Sequence, residues 1–298
     1  MCGIVGVHLK SSSVEDQFGR LIVPMLEALT SRGPDSTGIA LYRHDVANGE
    51  LKYSLRAPGP GYRWQELADR LGAQLGRPVG LRPRADDTLL ISSAPASDLL
   101  DALAREDPQV RVVGHGRAIE VVKDVGAADE VCDRYGIGEM SGYQGIGHTR
   151  MATESAVTTE HSHPFAVAAD LALVHNGSFS NHASLRRRLA DQGIHCETDN
   201  DSEVAARYIA NEMALGANLE DALLMVLKAF DGFFTLLVST EREFAIVRDS
   251  FACKPAVVAE TADYVAVGSE YVALAGLPGI TDAEVFEPMP GEVHVWSR

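Results

Sequence analysis

Apolar positions along the chain fall into short, continuous runs. They do not follow the strict apolar–polar alternation of a half-exposed sheet. "CGIVGVHL" near the start reads as a buried strand, and "QFGRLIVPMLEALTSRG" as a helix stopped by Gly33 and Pro34. "STGIALYRH" and "LKYSLRAPG" read as a strand pair across the "DVANGE" turn, where Asn48-Gly49 suits a tight hairpin. Strand-like "GIGHTR" and "LALVHNG" follow residue 140, then helices at 182–191, after Asn200, and over "LEDALLMVLKAF". The end of the chain is largely strand: "FFTLLVS", "EFAIVRD", "PAVVAE", "YVAVGS" and "VHVW". Short turns between these runs predict antiparallel pairing, and uninterrupted apolar runs predict that both faces are covered. Two such sheets packed together with helices outside each give an α+β fold, a four-layer α-β-β-α sandwich.

Between about 60 and 140 the texture changes. Helical patterns at 64–75, 97–105 and 127–135 alternate with strands near "TLLISS", "VRVVGH" and "AIEVVKD". The stretch is neither Gly/Ser-rich nor of low complexity, so it reads as an α+β segment inserted into a single domain spanning 1–298, not as a linker.

Charge and cysteine content narrow the partners. The chain has 298 residues and carries 42 acidic against 26 Lys and Arg, a formal net charge of −16. Such a surface repels phosphate backbones and anionic lipid, which argues against nucleic acid and membrane. No apolar run reaches the roughly 18 residues of a membrane span, and the first ten residues do not make a secretory signal. Cys2, Cys132, Cys196 and Cys253 are far apart with no CxxC pair, the pattern of a reduced, cytoplasmic protein.

Cys2 is the first candidate for chemistry. Removal of Met1 would place an α-amine, of pKa about 7.7–8.0, beside a thiol of pKa about 8.5, so one residue could supply both nucleophile and base. A small buried hydrophobe at a strand end explains an isolated Cys equally simply. What lifts it is the set of motifs that follows: "SRGPDSTG" (31–38), "GIGHTRMATES" (145–155), "SHPF" (162–165), "LVHNGSFSNH" (173–182), "ETDNDSEV" (197–204) and "VRDSFACKP" (247–255). With "MCGIVGV", these resemble, in order, the glutamine-hydrolysing domain of class II glutamine amidotransferases, which belong to the N-terminal nucleophile hydrolases. The resemblance covers nearly the whole chain except about 60–140.

That resemblance implies residue roles, each of which has a chemical reason. Cys2 would be the nucleophile. Asn176 and Gly177 of "HNG" would form the oxyanion hole, though an Asn-Gly pair is also a common turn. Arg150 would hold the α-carboxylate of L-glutamine by a two-pronged contact and Asp201 its α-ammonium. A surface ion pair for the Arg and a helix start at "NDSE", with Asn200 as cap and Glu203 three residues on, are the plainer alternatives. Thr153 and His163 would line or support the glutamine pocket. Arg32, Gly33 and Asp35 would belong to a turn-rich lid loop. His148, His161 and His163 do not have metal-ligand spacing, so no metal is expected. Met151 stands where the family often has an aromatic residue, and Glu154 where some members have histidine.

The resemblance is closest to stand-alone amidotransferase subunits of glutamate-synthase-like complexes, of the N-methylglutamate synthase type. It implies ammonia-accepting synthase subunits on other chains, carrying FMN and an iron–sulfur cluster. This chain has no cysteine pattern for a cluster and no dinucleotide fingerprint, so it is expected to hold no cofactor itself. Another N-terminal-Cys amide hydrolase and a non-catalytic glutamine-sensing or structural subunit are the rival readings. The Arg150/Asp201 pair, needed only for an amino-acid head group, separates the first rival. Retention of Met1 would favour the second.

Overall fold

A computed structural model describes residues 2–151 and 158–298. The first part of the chain contains β1 (Gly3–Leu9), α1 (Phe18–Ala28), β2 (Ser36–Tyr42), β3 (Leu51–Arg56), α2 (Trp64–Leu75), β4 (Val79–Arg84), β5 (Asp87–Ser92) and α3 (Ala96–Glu106). Next come β6 (Arg111–Gly116), β7 (Ile119–Val125), α4 (Ala128–Tyr135), β8 (Gln144–Arg150), β9 (Phe165–Ala168), β10 (Leu171–Phe179) and α5 (His182–Asp191). The last part holds α6 (Asp201–Ala214), α7 (Leu219–Ala229), β11 (Gly232–Ser239), β12 (Glu243–Arg248), β13 (Val257–Glu260), β14 (Tyr264–Gly268), β15 (Glu284–Phe286) and β16 (Val293–Ser297).

Two sheets form the body. One has seven strands in the order β15-β13-β14-β1-β8-β2-β7, the other five in the order β16-β12-β11-β10-β9, and neighbours in both pair antiparallel. Ile4, Ala40, Ile119 and Ile146 of the first sheet interlock with Val174, Leu237, Phe244 and Ile246 of the second. The outer face of the first sheet packs Val5, Val7 and Leu41 on α1 and α4. The outer face of the second packs Leu173, Leu236 and Val247 on α5, α6 and α7. This is the expected four-layer α-β-β-α sandwich. The apolar runs are continuous because each central strand is covered twice: β1 and β2 are buried along their full length.

The segment 51–116 folds on its own sheet, β4-β5-β3-β6, with Tyr53, Leu67, Leu71, Leu90, Leu99 and Leu103 as its core. Its limits differ from the 60–140 read from texture. β3 already belongs to it, whereas β7 pairs with β2 in the main sheet and α4 packs beside α1. The hairpin expected between β2 and β3 is not formed. Both edges of β2 are occupied, by β7 and β8, so the next strand must leave the sheet. The turn at 47–50 is present, with Glu50 N–H on the Ala47 carbonyl at 3.1 Å and Gly49 at φ 85°, but it turns the chain into the inserted module.

Buried charge marks that junction. Glu120 on β7 accepts from Arg43 at 2.7 Å, from Lys52 of β3 at 3.3 Å and from Arg84 of β4 at 3.1 Å. Lys52 is 0% exposed and Glu120 2%. Burial alone would raise the Glu120 carboxyl, yet Lys52 and Arg43 outweigh it and hold it below the usual range. Among the described residues no helix is long and apolar enough to cross a membrane.

Candidate active site

Strand alternation carries the candidate residues to one end of the space between the sheets. On β1, Ile4 faces the opposite sheet and Val5 faces α1, so Cys2 falls on the inner side with Ile4. On β8, Ile146 faces inward, which puts His148 and Arg150 on the same side. On β10, Ala172 and Val174 face inward, and Asn176 is next in that series. The antiparallel register Gly3↔Thr149 and Ser36↔Arg150 brings the start of β1, the end of β8 and the start of β2 to one edge. The structure therefore assembles Cys2, Arg150 and Asn176 at the same end of the two sheets.

Cys2 is half-buried and its Sγ donates to the Met151 carbonyl at 3.8 Å. Its own carbonyl accepts from Arg32 Nε at 3.0 Å, and Arg32 also pairs with Glu270. The next turn of β1 is tied down too: Ile4 N–H donates to Ser269 Oγ at 2.9 Å, and Ser269 N–H to the Ile4 carbonyl at 2.9 Å. This explains how apolar residues so near a chain end stay ordered. Gly3 is needed for close approach, since a Cβ there would stand 2.7 Å from Thr149 Oγ1.

Arg32, Gly33 and Asp35, the expected lid residues, lie along this edge in contact with β8. Asp35 N–H donates to the Arg150 carbonyl at 3.0 Å, and Gly126 N–H to the Asp35 carbonyl at 3.0 Å. A Cβ on Gly33 would meet the Thr149 carbonyl oxygen at 2.4 Å, so the segment lies flat on the β8 backbone. Arg150 is buried at 5% exposure.

The opposite wall is Asn176 and Gly177. Asn176 is 3% exposed, and its Nδ2 is buried with no hydrogen-bond partner among the described residues. A buried amide donor without an acceptor is unfavourable by about 1–3 kcal/mol unless something else fills the role. Gly177 has φ 150°, and a Cβ there would stand 2.0 Å from the Phe233 carbonyl oxygen. Only glycine fits.

Asp201 opens α6 beside the end of β10. Its Oδ2 accepts from Phe179 N–H at 2.8 Å, and its Oδ1 lies 3.3 Å from Ser202 Oγ and 3.9 Å from His175 Nδ1. Asn200 caps the helix by accepting from Ser202 N–H at 2.9 Å. Glu203 reaches back to the N–H groups of Glu197 and Thr198, at 2.8 and 2.7 Å, one turn earlier than a capping box would have it. The helix start is thus realised at "NDSE", with Asp201 as its first residue.

Sequence reasoning passed over the buried support of this site. His175 Nδ1 is 2.8 Å from Ser202 Oγ, its ring stacks on Phe179, and its backbone carbonyl is 3.1 Å from His148 Nε2. His163, placed by resemblance at the pocket, stacks on His148 with ring centroids 4.1 Å apart. Neither His163 nitrogen has a hydrogen-bond partner among the described residues. Burial drives all three imidazoles down, His148 to about 3, His175 to about 4 and His163 well below its ordinary value, so they are neutral. The tripeptide "HNG" was itself the signal for His175, read only for its second and third residues. His161 lies elsewhere, between Thr158 and Asp199 at 2.8 and 2.7 Å. Among the described residues no group of three or more His, Cys, Asp or Glu side chains is placed to hold a metal ion. Thr153 and Glu154, like Met1, lie outside the described residues.

Residues 148–276 match a family model described as a glutamine amidotransferase domain. Over 299 aligned residues the chain is 47% identical to the glutamine amidotransferase-like protein GlxB of Rhizobium meliloti (strain 1021), covering 100% of this chain and 99% of that protein. It is 30% identical over 182 residues to the amidophosphoribosyltransferase of Methanocaldococcus jannaschii, covering 60% of this chain and 38% of that one. Among solved structures, the glutamine phosphoribosylpyrophosphate amidotransferase of B. subtilis shares the fold, with a TM-score of 0.63 at 19% identity. The match takes in 99% of this chain and 47% of that chain, so the present chain spans about half its length.

Proposed function

Since the chain belongs to the class II glutamine amidotransferases, a family of enzymes, we propose that it hydrolyses the side-chain amide of L-glutamine through a Cys2 thioester. The observation that carries this reading is Asn176 Nδ2, a buried donor with no partner among the described residues, on the inner face of one sheet, at the end where the other sheet presents Cys2 and Arg150. A donor in that state is prepared for charge that develops only during reaction.

The steps follow from the residues present. Once Met1 is removed, the Cys2 α-amine takes the thiol proton as sulfur attacks the amide carbon. The resulting oxyanion is held by Asn176 Nδ2 and Gly177 N–H. The C–N bond then breaks, and the amine returns its proton to the leaving group, which departs as ammonia. Water, deprotonated by the same amine, attacks the γ-glutamyl thioester, and glutamate leaves as the thiol is re-protonated. Arg150 receives the α-carboxylate and Asp201 the α-ammonium, which restricts the substrate to an amino acid. The ammonia passes to a synthase subunit on another chain, of the glutamate-synthase-like type, with FMN and an iron–sulfur cluster carried there.

The test is direct. Cys2→Ala should abolish glutamine hydrolysis while the circular dichroism spectrum and melting profile stay unchanged, and an electrophilic glutamine analogue should add its mass to the N-terminal peptide. Turnover by Cys2→Ala, or labelling of another cysteine, would overturn the assignment.

A further inference from the structure

A second cleft, of ≈ 560 Å³, separates the inserted module from the main body, between β6 on one side and β9 with the 158–161 and 197–199 segments on the other. Its size and its place between two structural units are those of a small-molecule site. Val112, Val113, Phe165 and Ala166 give it an apolar wall.

The charges lining it are unevenly satisfied. Glu203 is saturated by Glu197 N–H, Thr198 N–H and Arg207, Asp199 is held by His161, and Glu197 by Arg207. Two cations have no such partner. Lys123, 8% exposed, donates to the Ser162 carbonyl at 2.9 Å and the Pro164 carbonyl at 3.4 Å, and lies 5.1 Å from the Phe165 ring centre. No carboxylate is within ion-pair distance of it among the described residues. Arg111, exposed on β6, has neither a side-chain hydrogen bond nor an ion pair among the described residues. Lys123 is buried and feels Glu160 and Glu203 only from beyond ion-pair distance, so its desolvation is incompletely offset, and a ligand anion in direct contact removes the remaining penalty. Glu160 also lines the cleft, in the field of Arg111 and Lys123, and makes no ion pair among the described residues.

We propose that this cleft is an effector site for a small organic carboxylate, whose charged group meets Lys123 and Arg111 and whose carbon body lies on Val112, Val113 and Phe165. The apolar wall favours a carboxylate with a short hydrocarbon body over a bare inorganic anion. Occupancy reaches the catalytic end by a short path. The two carbonyls held by Lys123 flank His163, which stacks on His148, two positions before Arg150. Ser162 Oγ also donates to Ser36 Oγ at 2.9 Å, and Ser36 lies opposite Arg150 in register. The site is coupled to glutamine binding through these contacts.

Calorimetry on the full chain with succinate as probe tests the proposal, with inorganic phosphate as the second arm. Succinate is expected to bind one per chain and more tightly than phosphate. Arg111→Ala, an exposed position whose loss leaves the fold intact, should weaken binding roughly 10- to 100-fold, as expected for one charge-assisted contact. Lys123→Met should abolish it, and Glu160→Gln should tighten it by relieving repulsion. Succinate should shift the KM for glutamine in the parent protein and not in Arg111→Ala. Absence of binding at millimolar succinate, equal binding of phosphate, unchanged affinity in Arg111→Ala, or loss of binding when Cys2 alone is alkylated would each overturn the proposal. Because binding is read as heat, its failure is separate from any failure of the glutaminase reading.

Discussion

His175 Nε2 occupies the space where a side chain on residue 177 would begin: a Cβ built on Gly177 would stand 2.8 Å from it. The glycine therefore serves two needs, its own unusual φ and the seating of the imidazole beneath it. Gly177→Ala is expected to displace both the N–H proposed to hold the oxyanion and the His175–Ser202 contact. Glutamine hydrolysis should fall by at least about 100-fold, with a lowered melting temperature. Near-normal kcat in a folded Gly177→Ala protein would show that the backbone N–H is not used.

Asn176 and Asp201 should separate in kinetics. Asn176→Ala removes a donor required only when the oxyanion forms, so kcat should drop about 10²–10³-fold with KM little changed. Asp201→Asn removes an anion expected to contact the ground-state ammonium, so KM should rise with the smaller effect on kcat. Steady-state kinetics on the two variants decides the matter, and a reversed pattern would exchange their roles.

Glu120 binds Lys52, Arg43 and Arg84 at the seam between β7 and the inserted module, sharing the first two with Asp45. Glu120→Gln removes the buried anion of this cluster and leaves Lys52 and Arg43 with Asp45, at 3.1 Å from each, as their remaining counter-charge. Urea denaturation should report a loss of about 3–5 kcal/mol, since breaking one side of a buried charge cluster is strongly destabilising. A loss below about 1 kcal/mol, the scale of an exposed ion pair, would mean that water reaches the seam.

The three neutral histidines make the fold acid-sensitive. Their native pKa values lie below the 6.5 of an unfolded imidazole, so the unfolded chain binds protons that the native chain refuses. Their contribution is complete above about pH 6.5 and is lost as pH falls toward about 4 for His175 and about 3 for His148. Each loses up to about 1.4 kcal/mol per pH unit in that window. His163→Phe should reduce the pH dependence of the melting temperature between pH 6.5 and 4.5 in part, because one proton site is removed while His148, His175, His8 and His115, also lowered by burial, remain. An unchanged slope would mean that His163 is already protonated in the native protein.

Much of this was legible in the sequence, for identifiable reasons. The helices at 64–75 and 182–191 were read to the residue, because their patterning is helical over several turns and each stops close to a glycine, Gly76 or Gly193. The candidate site residues were legible as a set because they sit in short contiguous motifs at strand ends; register joins Cys2 to Arg150, and packing of the second sheet brings Asn176 to the same end. What escaped was non-local. The β2–β3 turn has hairpin chemistry, but pairing depends on which edges are already taken, and Val121 and Gly147, which occupy them, lie far along the chain. β4, β9 and β15 are short or lie at sheet edges, too weakly patterned to stand out. The His148–His163–His175 cluster joins three separate motifs, and no one of them contains it.

The proposed nucleophile rides on one sheet and the proposed oxyanion donors on the other, with the Ile4–Val174 layer between them. On that proposal neither half of the sandwich can do chemistry alone. Recovered turnover during refolding would therefore act as a clock for the docking of the two layers, and any agent that wedges them apart by an ångström or two should silence the enzyme well before the helices unravel.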